Sequence, residues 1–122
     1  VRIITPQIWD KHLIHIATRS YYGELIQAGV KIYEYIGGFN HSKTFLADDK
    51  IGTVGTVNLD FRSLYLHFEC GVWMYDCQAL SQLKKDFLQT VSVSQQITKD
   101  DCTKRLPVRV MHAILRLFAP LM

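Results

Sequence analysis

The sequence predicts an α/β domain in which helices flank a mixed β-sheet. Two observations predict this class: short runs of β-branched and aromatic residues alternate with segments of helical periodicity, and Gly or Pro residues separate many of them. Hydrophobic residues make up 48% and charged residues 20% of the 122 residues, a balance typical of one packed domain and not of a disordered chain. The longest uncharged stretch, Phe87 to Thr98, is too short to cross a bilayer.

The first half of the chain predicts two strands around a helix, followed by a hairpin. Apolar residues recur every three or four positions from Asp10 to Ala28, which predicts a helix with Asp10 as its N-cap and Gly29 just after its end. The runs before and after this helix are short and rich in β-branched residues, as strands are. A turn at Asp48 to Lys50 separates two further apolar runs at hairpin spacing. The four strands are expected at residues 1–5, 30–36, 43–47 and 51–54.

The second half predicts one more strand and three helices. Thr98 with Asp101 forms an approximate capping box for a short helix. Pro107 suits the first turn of a final helix that ends near Pro120. The remaining expected elements are a strand at residues 66–75, a helix at 79–91 and a polar linker at 92–96.

The net charge of +3 resides in the C-terminal segment. Residues 1–97 carry nine basic and nine acidic side chains, whereas residues 98–122 carry five basic and two acidic ones. We therefore divide the chain into a neutral domain (1–97) and a basic helical segment (98–122). A neutral domain makes nucleic acid an unlikely partner, and a basic segment suits an anionic surface. The final helix has Arg109, His112 and Arg116 on one narrow face, so it either lies on anionic lipid or packs on the domain with one wet edge.

The chain opens at Val1, inside a predicted strand, so we expect it to be a piece of a longer protein. Its three cysteines, Cys70, Cys77 and Cys102, are odd in number and form no CxxC pair. This favours reduced thiols over a disulfide framework or a zinc site. His12 and His15 share a helix face without a third ligand, which is typical of a solvated face. No metal is predicted.

One constellation carries chemistry, and it lies in the predicted hairpin. Residues two apart on a strand share a face, so His41 and Lys43 are expected to project together. The returning strand brings Gly55 and Asn58 close to them, while Asp48 lies near the turn. An imidazole, an ammonium and a carboxamide beside a glycine-thinned backbone suit a phosphoryl centre.

The spacing HxK(x)4D(x)6G(S/T)xN, here His41, Lys43, Asp48, Gly55, Thr56 and Asn58, is similar to the signature of the phospholipase D superfamily. The flanking residues 25–35 and 58–63 resemble those of bacterial cardiolipin synthases. The resemblance extends over the whole chain. It implies one half of a two-motif fold, the C-terminal catalytic half of such an enzyme.

The resemblance also implies a role for each motif residue. His41 is one of two histidines, of which one attacks the phosphorus to give a phosphohistidine and the other protonates the leaving alcohol. Lys43 and Asn58 hold the phosphate oxygens, and Glu69 holds the histidine ring. The remaining assignments are Asp48 to the hairpin, and Gly55 and Thr56 to the phosphate site. No cofactor is implied, since lysines neutralise the phosphoryl charge.

Two positions depart from the family pattern. Thr56 stands where serine is commoner, which keeps a hydroxyl. His67 stands where asparagine is usual, two residues before Glu69, and could change the pH dependence of the site or be a satisfied core histidine. Glu69 could alternatively pair with Arg62.

The implied reaction is phosphatidyl transfer between two phosphatidylglycerol molecules, with release of glycerol. The implied partners are a phospholipid, a membrane surface, and a second motif-bearing half or a second copy of the chain, without which the isolated chain is expected to be inactive. The implied location is the cytoplasmic face of the bacterial cell membrane, with any membrane segments outside this chain. Two alternatives remain open: a phosphodiesterase of the same superfamily (a hydrolase or homodimeric nuclease), and a non-catalytic regulatory or membrane-docking module.

Overall fold

The computed structural model describes residues 1–102 and 106–121 and confirms the α/β class, with helices flanking two three-stranded sheets. The strands are β1 (Arg2–Pro6), β2 (Lys31–Tyr35), β3 (Lys43–Ala47), β4 (Ile51–Gly55), β5 (Gly71–Tyr75) and β6 (Ser94–Ile97). The helices are α1 (His12–Ser20), α2 (Tyr22–Gln27), α3 (Gln78–Ser92), α4 (Lys99–Cys102) and α5 (Leu106–Leu117). The predicted single sheet is therefore divided in two.

The first sheet is mixed and has β2 at its centre. β1 pairs with β2 in parallel, and β6 pairs with the other edge of β2 antiparallel. The segment between β1 and β2 contains α1 and α2, as a parallel pair requires a crossover connection. The second sheet is antiparallel in the order β3–β4–β5. It contains the hairpin that the sequence predicts.

The main core lies between α2 and the first sheet. Tyr22, Ile32 and Ile97 are buried there and pack together. The Tyr22 hydroxyl lies 2.7 Å from the Thr5 hydroxyl, and burial raises the pKa of Tyr22 to about 12. The partly buried residues around this core are Leu25, Ile26, Val30 and Cys102. Through Tyr22, helix α2 is therefore held to both strands: to β1 by the contact with Thr5 and to β2 by packing on Ile32.

We expect Ile32→Ala to lower the free energy of unfolding by about 3 kcal/mol, since it removes three carbons from a side chain that is only 1% exposed. Ile36→Ala is the matched control, because Ile36 is 54% exposed and should cost about 0.5 kcal/mol or less. Urea unfolding of both variants measures the difference. Equal losses would show that the core does not lie where the structure places it.

Helix α3 joins the two sheets. It contacts β2 and β6 of the first sheet and β3 of the second. Its Leu80 is buried, and a Cβ built at Gly52 in β4 would lie 2.6 Å from the end of the Leu80 side chain. The Lys84 ammonium of α3 also pairs with the Asp49 carboxylate in the hairpin turn. The hairpin is thus held to the helix at its middle and at its turn.

The predicted helix at residues 10–28 is two helices. The helix is interrupted at Tyr21. The Ser20 hydroxyl, one residue earlier, donates to the Ala17 carbonyl at 2.6 Å, and such a side-chain bond competes with helix propagation. The predicted N-cap Asp10 is wrong, because Lys11 holds that position and makes no side-chain capping bond. Gly29 does follow the helix end with a φ of 87°, as predicted.

Two other element predictions are wrong. The strand expected at residues 66–75 begins only at Gly71: Leu66 ends a π-helical turn (Arg62–Leu66), and residues 67–70 form neither helix nor strand. The polar linker expected at residues 92–96 belongs to α3 and β6, in which Ser94 to Gln96 pair with β2. Since only Ile97 of β6 is buried, the strand has no apolar alternation by which sequence could identify it.

The C-terminal segment packs on the domain through α5, which contacts α1. The Asp101 carboxylate accepts from the Thr98 amide at 2.8 Å, so half of the predicted capping box forms. Pro107 lies in the first turn of α5, which ends at Leu117 before a single 3₁₀ turn at Ala119–Leu121. Lys104 and Arg105 of the basic segment lie outside the described residues. Within the described part of the chain, no helix has the length and apolarity needed to cross a bilayer.

Candidate active site

His41 lies in the loop before β3, two residues ahead of the strand. The Asn40 side-chain oxygen accepts from the Ser42 amide at 3.0 Å, which closes a turn around His41. The His41 ring stacks on Phe39, with 5.6 Å between ring centroids and 19° between planes. An exposed imidazole is therefore held by a local turn and one aromatic neighbour.

Lys43 opens β3 and is tied to His41. Its ammonium donates to the His41 carbonyl at 2.7 Å, so the two residues that the sequence pairs are in contact through the His41 backbone. An ammonium has three donors, which leaves further donors for an incoming anion. Burial lowers the pKa of Lys43, and the Glu69 and Asp60 carboxylates oppose that shift.

The lowered pKa of Lys43 gives a prediction for pH. Burial disfavours the charged ammonium of Lys43, so its pKa is lowered and it should lose its proton at a lower pH than an ordinary lysine does. As the pH is raised, anion binding should therefore decline earlier than it would with an ordinary lysine. We expect Glu69→Gln to move the decline lower still, because it removes a charge that raises the pKa. NMR titration of the Lys43 side chain measures the shift. Asp76→Asn, at the other end of β5, should leave it unchanged, and an upward shift in Glu69→Gln would contradict the arrangement.

Gly55 and Gly71 let β4 and β5 approach closely beside Lys43. Gly55 pairs with Lys43 on one side and with Gly71 on the other. A Cβ at Gly55 would lie 2.5 Å from the Cys70 carbonyl oxygen and 2.7 Å from the Gly71 Cα, both of which are backbone atoms. The predicted glycine-thinned backbone is therefore present, and its reason is contact between neighbouring strands.

Thr56 connects the end of β4 to Glu69. Its amide donates to the Cys70 carbonyl at 2.9 Å, and its hydroxyl accepts from the Cys70 amide at 3.0 Å. The same hydroxyl donates to one Glu69 oxygen in a short hydrogen bond. Because Glu69 also acts on the pKa of Lys43, the structure brings Lys43, Gly55, Thr56 and Glu69 together.

His67 is an exposed part of this network and not a core histidine. Its ring is 46% exposed and lies between Arg62 and Glu69. Arg62 Nη2 lies 3.1 Å from Nε2, and a guanidinium can only donate, so Nε2 accepts. The other ring nitrogen, Nδ1, lies 3.8 Å from Glu69 Oε1, near but beyond hydrogen-bond distance. Arg62 thus bonds to His67, in place of the Arg62–Glu69 pair considered from sequence.

Asp48 and Asn58 lie farther along the hairpin. Asp48 sits in the turn with a φ of 51°, at the opposite end of β3 from Lys43. The side chain that fastens this turn to α3 is that of Asp49. Asn58 is exposed in the segment between β4 and the π-helical turn, two residues beyond Thr56. Their roles stay predictions.

Asp60 is the site residue that sequence reasoning missed. Its charge raises the pKa of Lys43, and its side-chain oxygen accepts from the Ser63 amide at 2.7 Å. This bond links Asp60 to the first residues of the π-helical turn, and such turns are frequent at functional sites. The spacing of Asp60 and Ser63, an acidic residue three positions before a serine at a helical start, was the available signal.

One face of the second sheet extends the site as an exposed surface. Lys43, Gly55 and Gly71 stand in register at one end of this face. Alternation along the strands places Phe45, Trp73 and Tyr75 on the same face, and all three are exposed. A shallow depression beside Lys43 is lined by Phe45, Thr53, Val54, Gly55, Val57 and Gly71. Among the described residues, no cluster of three or more His, Cys, Asp or Glu side chains could hold a metal ion.

The chain matches a known protein family over most of its length. The family profile described as "Cardiolipin synthase, PLD-like domain" matches residues 1–91. The chain belongs to this family. The resemblance noted from the motif is thereby confirmed.

The similar curated proteins are bacterial and considerably longer. A "Cardiolipin synthase" of Geobacillus sp. is 40% identical over 123 residues, and a "Cardiolipin synthase 2" of Bacillus cereus is 41% identical. An uncharacterized protein of Streptococcus mutans serotype c is 42% identical. Each alignment covers 100% of this chain but only 24% of the first two proteins and 27% of the third. The chain spans about a quarter of the length of these relatives.

Proposed function

We propose that this chain supplies one half of the active site of a phosphatidyltransferase that makes cardiolipin. The observation that carries the proposal is the ammonium of Lys43, held against His41 at the end of the hairpin where two glycines bring the strands together. A fixed cation beside an exposed imidazole suits the charge of a phosphodiester. Family membership supports the substrate class.

The proposed reaction transfers a phosphatidyl group in two steps. In the first, a ring nitrogen of one histidine forms a bond to phosphorus while the bond from phosphorus to the glycerol oxygen breaks, and the second histidine protonates that oxygen. In the second, the hydroxyl oxygen of another phosphatidylglycerol forms a bond to phosphorus while the phosphorus–nitrogen bond breaks and frees the first histidine, and the hydroxyl gives its proton to the second histidine. His41 takes one of these two roles. Cardiolipin and glycerol are the products.

The other residues serve the charged phosphate. Lys43 neutralises its non-bridging oxygens, and Asn58 donates to them. Thr56 and Glu69, bonded to each other and to the β5 side of the sheet, position the phosphate site beside Gly55. Asp48 shapes the hairpin turn. No metal or other cofactor enters the proposal, because the lysine supplies the positive charge.

A complete site in this proposal needs a second half with its own histidine and lysine. The exposed row of Phe45, Trp73 and Tyr75 beside Lys43 supports this, since a face with several exposed aromatic side chains is typical of a surface that another protein covers. The partner is the rest of a longer chain or a second copy. The chain alone is therefore proposed to be inactive, and the assembled enzyme to act at the cytoplasmic face of the bacterial membrane.

A chimera tests the function. This chain replaces the matching 123 residues of the Geobacillus cardiolipin synthase, and the purified chimera receives vesicles of phosphatidylglycerol. We expect cardiolipin and free glycerol in equal amounts, measured by mass spectrometry, and no cleavage of plasmid DNA. The unmodified relative is the control for assembly.

Other products would contradict the proposal. Phosphatidic acid with glycerol, and no cardiolipin, would indicate a hydrolase. Plasmid cleavage by the chain alone would indicate a homodimeric nuclease. A chimera that folds, as shown by its melting temperature, but turns over neither lipid nor DNA would indicate a non-catalytic module.

A further inference from the structure

The side of helix α5 that faces the domain is half polar, and its exposed side is mostly apolar. The inward positions are the partly buried Val108, His112, Leu115 and Arg116. The outward positions are all exposed, and they are apolar: Leu106, Val110, Met111, Ile114, Leu117 and Phe118. A helix that simply covers a core would have polar side chains at these exposed positions.

Arg116 fixes this orientation. Its guanidinium lies 4.3 Å from the centre of the Tyr21 ring. It donates to the Ser20 hydroxyl at 3.1 Å and also to the Ser20 carbonyl. It further pairs with the Glu24 carboxylate. Three residues at the α1–α2 junction, Ser20, Tyr21 and Glu24, therefore hold Arg116. Rotation of the outward face of α5 toward the domain would break these contacts.

We propose that the outward face of α5, from Leu106 to Phe118, binds the surface of an anionic lipid bilayer. Charge complementarity supports this occupant. By sequence, residues 98 to 122 hold the whole net charge of +3; Arg116 is paired with Glu24, and Arg109 is the basic residue exposed on α5 itself. An apolar helix face with basic residues nearby is typical of helices that lie in the headgroup region of anionic membranes.

The size of the helix favours a bilayer over a second copy of the chain. Twelve residues of helix are about 18 Å long and about 10 Å wide. Such a face offers roughly 200 to 300 Å² of contact, below the ~800 Å² that each partner buries in a stable interface. A lipid surface needs no matching partner, and the helix is the right length to lie along it. It is too short to span the bilayer.

The experiment measures binding of the 122-residue chain to vesicles by co-sedimentation. The vesicles contain phosphatidylglycerol and phosphatidylcholine in equal parts, or phosphatidylcholine alone. We expect at least about tenfold tighter binding to the anionic vesicles. Ile114→Glu should weaken that binding by about tenfold or more, because it places a charge at the centre of the outward face.

Leu88→Glu is the matched control, since Leu88 is exposed on α3 to a similar extent (42%, against 51% for Ile114). It should bind as the parent does. Because Ile114 points away from the domain, Ile114→Glu should keep the fold, which circular dichroism checks. Equal binding of parent and Ile114→Glu, or equal binding to both kinds of vesicle, would overturn the proposal. So would a dimer without lipid that Ile114→Glu separates into monomers.

This inference rests on the proposed function only for the choice of phosphatidylglycerol as the probe. Binding is measured without turnover, so the two proposals fail separately. Vesicle binding without cardiolipin formation by the chimera would contradict the proposed function and still support the docking surface. The reverse result would contradict only the docking surface.

Discussion

In the chimera described above, His41→Gln should reduce cardiolipin formation at least about a thousandfold. An amide can neither form the phosphorus–nitrogen bond nor transfer the proton, so either role assigned to His41 is lost. The structure gives a reason to expect little effect on folding. The ring is exposed and stacks on the exposed Phe39, while the contact with Lys43 is made by the His41 backbone carbonyl, which the substitution keeps.

His12→Gln is the control for this prediction. His12 is also exposed and also contacts one aromatic ring, that of Trp9, at 4.8 Å between centroids. It lies on α1 and away from the hairpin, so we expect activity within about twofold of the parent. Radiolabelled phosphatidylglycerol measures both rates. Residual activity in His41→Gln above a tenth of the parent rate would remove His41 from the reaction.

The parts of the fold that were predicted correctly have local signals in the sequence. Gly29 ends α2 in a conformation with positive φ, which glycine adopts without strain. The hairpin strands have apolar runs separated by a turn at Asp48 and Asp49, both in the left-handed region that Asp tolerates. Each of these features is determined within a few residues of chain. The sequence pattern is therefore sufficient to predict it.

Of the parts that were missed, β6 depends on a distant contact and the π-helical turn on a local one. β6 is a strand because it pairs with β2, although its polar residues alone predict a linker. The π-helical turn at Arg62–Leu66 takes up only the first residue of the strand predicted at 66–75. The Asp60 side chain bonds to the Ser63 amide in this turn, which is a local contact. Tertiary pairing therefore overrides local preference at β6.

The candidate site shows the same division. The motif spacing correctly paired Lys43 with Gly55, because antiparallel register follows from the length of the turn. It could not predict that Asp60 acts on Lys43, or that Glu69 bonds to Thr56 and approaches His67. Those contacts require the π-helical turn and β5 to fold back over the end of the hairpin. The spacing of residues in the sequence carries no information on that path.

Gly55→Ala should abolish most of the activity of the chimera and lower the free energy of unfolding by about 2 to 3 kcal/mol. The added methyl group would meet the Cys70 carbonyl and the Gly71 Cα, and neither backbone atom can rotate away as a side chain can. β5 must therefore move from β4. That movement would break the hydrogen bonds that the Thr56 amide and hydroxyl make with the Cys70 backbone, and it would displace Glu69.

A displacement of this kind affects catalysis as well as stability. A shift of about 1 Å at groups that hold the phosphate costs on the order of a hundredfold in rate. Movement of β5 would shift Glu69, which lies just before that strand, relative to Thr56 at the end of β4. Gly23→Ala is the control, because the nearest atom to its new methyl group is 3.7 Å away and the residue lies in α2. Alanine there should leave the rate unchanged and raise the free energy of unfolding by up to about 1 kcal/mol. Melting and turnover of Gly55→Ala at the parent values would mean that β4 and β5 do not need to approach closely, and the proposed phosphate site would lose its support.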